Sequence, residues 1–206
     1  MRDWLELLPT AQFATAAFYV DLLAEQGPLL GEPYTRQLDG KLRELRFHLE
    51  GRAVRVTYWI APGRRVVLLT AFAKTRMREA AEVSRARRAL GSCLTESHTV
   101  GEDEGAAAMT ERAGWAELRE RRRGELGARD AYQAAMLAFE LGRSVRELRR
   151  RRSWSQSELA RAAGMTQSAV ARFEAGGTVP TLPVLERLAE ALDADLDVRV
   201  VPRSVA

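Results

Sequence analysis

The stretch from Trp154 to Gly177 constrains this chain more than any other part of its 206 residues, because it reads as two short helices forced into a tight turn. Ser155 with Glu158 three positions later forms a capping box, in which each side chain satisfies a backbone N–H that the helix start leaves unpaired. Leu159, Ala160 and Ala163 supply an apolar face at helical spacing, and Gly164 admits the backbone that a sharp turn needs. A second helix starts at Thr166. Its apolar positions Val170 and Phe173 point inward, which leaves Gln167, Ser168, Ala169 and Arg172 pointing outward. Thr181 opens a last helix whose Leu182, Leu185, Leu188 and Leu192 pack back. Outward hydrogen-bonding side chains on so short a helix suit the major groove of duplex DNA, where each base pair shows a distinct donor and acceptor pattern.

This stretch resembles the Cro/repressor (XRE) helix-turn-helix family, which implies a double-stranded operator DNA partner and a homodimer. By that resemblance Gln156 touches a phosphate, Gln167 and Ser168 touch bases or phosphates, Arg172 touches a base, and Thr166 joins them at the start of the second helix. The run Arg149–Arg152 reads either as a phosphate clamp or as a solvated helix end.

Charge divides the chain into three blocks: +5 over residues 1–95, −4 over 96–142 and +3 over 143–206. Basic blocks are what polyanion binding requires, since each neutralised phosphate releases condensed counterions, although a solvated charged face has the same composition. The single cysteine, Cys93, and two histidines, His48 and His98, cannot assemble a closed zinc shell, so neither a metal nor another cofactor is expected. No apolar run approaches the roughly 18 residues of a membrane span, and the polar, acidic start is unlike a secretory signal. A cytoplasmic protein without a membrane partner is expected.

The segment from Gly91 to Ala108 is small, polar and acidic without periodicity, and it reads as a flexible linker of about 18 residues. Met109-Thr110-Glu111 directly after it looks like a translation start inside a longer frame. Before it, Thr10–Gln26 has helical spacing closed by Gly27-Pro28. Leu42–Leu49, Ala53–Ile60 and Arg65–Ala73 then read as three strands of an antiparallel meander, separated by turn sequences. The third is apolar on both faces. A basic helix is expected over Arg76–Leu90, and further helices over Glu111–Arg123 and Asp130–Gly142. The alternating tail Leu196–Val201 reads as an edge strand.

The segments Leu38–Arg46, Arg55–Tyr58, Val67–Arg76 and Glu82–Arg88 together resemble the RelE/ParE toxin superfamily, in its phage-derived branch that includes HigB-type toxins. The resemblance implies a small α+β fold that cleaves mRNA on the ribosome without a metal. Such cleavage needs a base for the 2′-hydroxyl, cations around the phosphorane and an acid for the leaving oxygen. Strand alternation puts Arg55 and Thr57 on one face of their strand, and Arg46 on the face opposite Leu45 and Phe47. Arg46 and Arg55 are therefore expected side by side as phosphate clamps. Lys74 is the candidate base or acid, and Arg76 and Arg78 are candidate transition-state or RNA contacts; ordinary surface charge on a basic sheet is the plainer reading of all five. His48 reads as structural at a strand end and Tyr58 as packed inward.

Trp115–Gly142 resembles the helical start of the antitoxins encoded beside such toxins, and its negative charge opposes the positive charge of the first block. The chain is thus expected to be α+β: a RelE-like domain with a three- to four-stranded antiparallel sheet, followed by an all-α helix-turn-helix domain. Its parts are a toxin domain at 1–92, a linker at 93–108, an acidic helical antitoxin segment at 109–142 and the DNA-binding domain at 143–206. The activity expected is a ribosome-dependent mRNA endonuclease, covered in cis by a docked antitoxin that also represses its own operator. Two alternatives stand beside it. One is a plain repressor carrying an inactive toxin-like half, and the other is a gyrase-directed toxin, against which Arg55, Lys74 and Arg76 argue.

Overall fold

The computed structural model describes residues 1–74, 79–99 and 104–200. They fall into two compact units, Met1–Leu137 and Ala138–Ala206.

The first unit opens with the short helix α1 (Arg2–Glu6) and the long helix α2 (Thr10–Gln26). Helix α2 is buried at Phe13, Phe18, Tyr19, Val20, Leu22 and Leu23, well beyond a single stripe. A helix apolar that far round must be covered on more than one side, and α2 indeed meets both the sheet and a later helix. It ends at Gly27, whose φ of 54° takes the chain out of helical geometry while its N–H donates to Leu23 O.

Four strands follow, β1 (Thr35–Asp39), β2 (Leu42–Leu49), β3 (Arg52–Ala61) and β4 (Arg65–Ala73), in the order β1-β2-β3-β4 with every neighbour antiparallel. The meander expected from the sequence is therefore present, with β1 as a strand that its charged, non-alternating sequence did not announce. Glu50 and Gly51, at φ of 48° and 79°, make the β2–β3 turn; positive φ at both central residues matches the twist of a tight hairpin. Leu45, Phe47, Val54, Val56 and Tyr58 are buried on the α2 side, where Tyr19 stacks on Phe47 with ring centroids 5.1 Å apart. Strand β4 is half-buried from Arg65 to Phe72, as its apolar character on both faces anticipated.

Helix α3 (Glu79–Thr99) packs on β4 and β2, α4 (Glu104–Arg123) packs on α2, and α5 (Ala128–Arg151) spans the division between the units. Residues 91–99, read from sequence as part of an unstructured linker, are the last turns of α3, and residues 104–108 of that segment begin α4. Its small residues misled: glycine lowers helix propensity by only about 1 kcal/mol, which a long helix carries. The two compact units divide at 137/138, within α5.

In the second unit the end of α5 packs with α6 (Gln156–Ala162), α7 (Gln167–Glu174) and α8 (Leu182–Ala191) around Leu159, Val170, Phe173, Leu188 and Leu192. Gly142 on α5 lies so close to α7 that a Cβ there would stand 2.4 Å from Phe173 O. The tail is not a strand: residues 194–200 have no regular structure, and Arg199 pairs with Asp197 on its own segment. Alternation alone cannot make a strand without a partner ladder.

Candidate nucleic-acid interfaces

In the second unit the expected capping box is complete. Glu158 N–H donates to Ser155 Oγ at 3.2 Å and Ser155 N–H to Glu158 Oε2 at 2.6 Å, holding the Glu158 carboxyl below its usual range. Gly164, at φ 61°, makes the turn, and Thr166 caps α7 by accepting from Ala169 N–H at 3.2 Å. Gln167, Ser168 and Arg172 are exposed on the outer side of α7, Thr166 is exposed at its start, and Ala169 is half-buried.

Behind that surface lies a connection absent from the sequence reading. Glu174, fully buried, receives two hydrogen bonds from Arg149, Nε to Oε1 at 2.6 Å and Nη2 to Oε2 at 2.8 Å. Arg149 also donates from Nη1 to Trp154 O at 2.5 Å, and Arg146 donates to Glu174 O at 3.3 Å. Gln156 Nε2 donates to the same Glu174 Oε2 at 3.0 Å, and Gln156 Oε1 accepts from Gln167 Nε2 at 2.9 Å. A single buried carboxylate thus ties α5, α6 and α7 together and fixes two of the expected DNA contacts in advance. The pairing raises the Arg149 pKa above its already high ordinary value. Arg149 therefore belongs neither to a phosphate clamp nor to a solvated helix end, whereas Arg150 and Arg151 are exposed.

The first unit pairs Arg46 with Arg55 across β2 and β3, in the register that alternation required. Between them, however, stands Glu44, 6% exposed. Its Oε1 accepts from Arg46 Nε at 2.6 Å and lies 3.9 Å from Arg55 Nε. Arg55 also donates from Nη1 to Val54 O at 3.2 Å. The two expected clamps thus share a carboxylate that a phosphate would have to displace. Lys74 lies just past the end of β4 with an exposed side chain, its N–H donating to Ala53 O at 2.8 Å. Arg76 and Arg78 fall outside the described residues. Tyr58 is fully buried, as expected, and accepts from Arg43 Nε at 3.2 Å; His48 is half-buried on β2.

Helix α4 docks on the opposite side of the sheet from this cluster. Arg122, nearly buried, donates to Leu5 O at 2.9 Å, Glu6 O at 3.2 Å and Leu8 O at 2.7 Å, carbonyls at the end of α1 and just beyond it. The same guanidinium bonds Glu125 and lies 4.4 Å from the ring centre of Phe13. Trp115 meets Phe13, and Tyr132, at the start of α5, packs edge-on against Phe18 and donates to Asp21 Oδ2 at 3.0 Å. Burial pushes the Asp21 carboxyl up, against the opposing pull of Arg119 at 3.1 Å. The acidic segment does dock on the basic domain, but through α1 and α2, so the expectation that it covers Arg55 and Lys74 is corrected. The apolar outer face of α2 is what attracts it.

Of these features, Glu44 had a sequence signal, because it stands two residues before Arg46 and so shares its strand face. Glu174 and Arg122 had none, one lying at a helix end and the other inside a run of arginines.

Residues 3–91 match the family model described as phage derived protein Gp49-like, and residues 140–200 match that of a helix-turn-helix domain. No curated protein and no solved structure matches the chain. The chain therefore carries a Gp49-like, phage-derived domain of the RelE/HigB-like toxin superfamily ahead of an XRE-type helix-turn-helix domain, an order consistent with a fused toxin and antitoxin.

Proposed function

We propose that the chain is a self-contained toxin–antitoxin unit: a homodimer that represses its own operator through α7, with a ribosome-dependent mRNA endonuclease domain held inactive in cis. The observation that carries the repressor half is the Glu174–Gln156–Gln167 chain, which spends ordering entropy during folding rather than during DNA binding. Gln156 and Gln167 position the backbone, and Arg172 reads a base. Arg46, Arg55 and Lys74 hold and polarise the RNA phosphate, with Arg76 and Arg78 as further contacts.

Docking of α4 on the far side of the sheet supports neutralisation by bulk, an added layer that keeps the domain from its ribosomal site, rather than by a plug over the arginines. A second reading is favoured by Glu44: a carboxylate that already occupies both clamps fits a repressor whose toxin-like half no longer cleaves.

A protease site inserted at residues 100–103 of the full chain separates the readings. Messenger cleavage on ribosomes that appears only after the cut and removal of the C-terminal piece supports the toxin. Binding of the chain's own upstream DNA with no cleavage in any state supports the second reading.

A further inference from the structure

A groove of about 680 Å³ runs along the seam where α4 meets α1, α2 and β4. Its floor is apolar, made of Leu5, Val20, Val66, Leu68, Trp115 and Leu118, and its rim carries three guanidinium groups, from Arg2, Arg64 and Arg65. Each is placed by the backbone. Arg2 lies beside Gly114 and Arg64 beside Gly27, each guanidinium at van der Waals distance from where a Cβ on the glycine would stand. Arg64 itself adopts φ 61°, a left-handed conformation that is costly for a residue with a Cβ and that arises in the Pro62–Arg64 turn. Arg65 has its Nε buried without a hydrogen-bond partner. Arg2 pairs with Glu6, while neither Arg64 nor Arg65 makes an ion pair with any described residue.

A buried guanidinium N–H without an acceptor is costly, and Arg64 and Arg65 beside each other lack a counter-charge among the described residues. An anion with an apolar body supplies both the acceptor and the charge. The volume is that of a small-molecule site, and apolar walls with few converging polar groups are the usual make-up of one. We propose that this groove binds a small amphipathic organic anion, its carboxylate taken by Arg64 and Arg65 and its hydrocarbon laid along Val66, Leu68 and Trp115. Trp115 and Leu118 belong to α4 and the rest of the floor to the Gp49-like domain. The occupant therefore touches both sides of the seam and strengthens α4 docking by mass action.

The test uses the intact chain with decanoate as probe and decanol as its uncharged counterpart, by titration calorimetry and thermal unfolding. Decanoate is expected to bind and to raise the unfolding temperature of the first unit. Decanol should bind about tenfold more weakly or worse, the scale of losing one charge-assisted contact. Arg65→Gln should weaken decanoate by a similar factor and leave decanol unchanged. Leu68→Trp, which fills the floor, should abolish binding of both. The proposal fails if decanoate does not bind at millimolar concentration, if decanol binds as well, or if Arg65→Gln binds decanoate as the parent does. The Arg65 variant retains its β-strand backbone and keeps the test decisive should Leu68→Trp misfold.

Discussion

Each unit contains a buried glutamate held by arginines, and the two glutamates have opposite consequences. Glu174 sits behind the DNA-facing surface and takes Arg149, which leaves Gln167, Ser168 and Arg172 exposed and Gln156 and Gln167 already oriented. Glu44 sits within the expected RNA-facing cluster and takes the very arginines that the cluster needs. A carboxylate one layer below a binding surface organises it, whereas a carboxylate in the layer of the surface competes with the ligand. Position relative to the surface decides, not the strength of the pair.

The contrast breaks most visibly at Glu174. Glu174→Ala leaves Arg149 charged in an environment where it is almost wholly buried, and removal of one partner from a buried pair costs about 3–5 kcal/mol. That is comparable with the whole stability of a small helical unit. Chemical denaturation should show the second unit unfolding early, with DNA binding lost, while the first unit keeps its own transition. Equal loss in both units, or none in the second, would remove the organising role given to Glu174.

Gly142→Ala tests the same framework without touching a charge. The added methyl meets Phe173 O at 2.4 Å and cannot be accommodated by a side-chain rotation; overpacking of this kind costs about 1–3 kcal/mol. The displacement pushes α7 away from α5 and strains the Arg149–Glu174 bonds. Reduced stability together with weaker operator binding is expected by denaturation and gel shift.

Arg172→Ala leaves the folded state intact because the side chain is exposed. Loss of a base contact should weaken operator binding about tenfold or more and relax preference at one position. Arg150→Ala, removing only an exposed cation, should weaken specific and random DNA alike and reduce the salt dependence. Equal losses on both DNAs for the two variants would move base reading off Arg172.

The sequence revealed much of this and failed in a consistent way. Apolar patterning located α2, β2, β3, β4 and the α6–α7 pair, because each is a block of apolar residues at helical or strand spacing, or a continuous apolar run in β4, bounded by a marked end such as Gly27, Gly51 or Gly164. The facing of Arg46 and Arg55 followed from strand parity and turn length alone. What escaped was decided by tertiary partners: the end of α3 through residues with weak propensity, the burial of Glu174, and Arg122 spanning to the carbonyls of α1. A run of four arginines looks uniform in sequence, yet Arg149 is buried and Arg150 is solvated.

A modest effect on stability, and the sharpest on function, is expected of Glu44→Gln. The amide keeps the shape of the carboxylate and can still accept from Arg46, so the cost is the difference between a charged and a neutral hydrogen bond, about 1 kcal/mol. Arg46 and Arg55 retain side-chain exposures of 22% and 13%, enough for water to take up part of their lost pairing. With the negative charge gone, the two guanidiniums become available to a phosphate that would otherwise have to displace Glu44. Single-stranded RNA should bind the Glu44→Gln chain more tightly than the parent, with a steeper salt dependence, and Glu44→Gln/Arg55→Ala should return it to the parent level. The release of ribosomal messenger cleavage in the single variant would identify Glu44 as the brake on the site. Tighter RNA binding without cleavage would leave a phosphate-binding sheet that lacks its base. No change in RNA affinity would place the RNA-binding surface away from β2 and β3, and the comparison between the two glutamates would then rest on the DNA side alone.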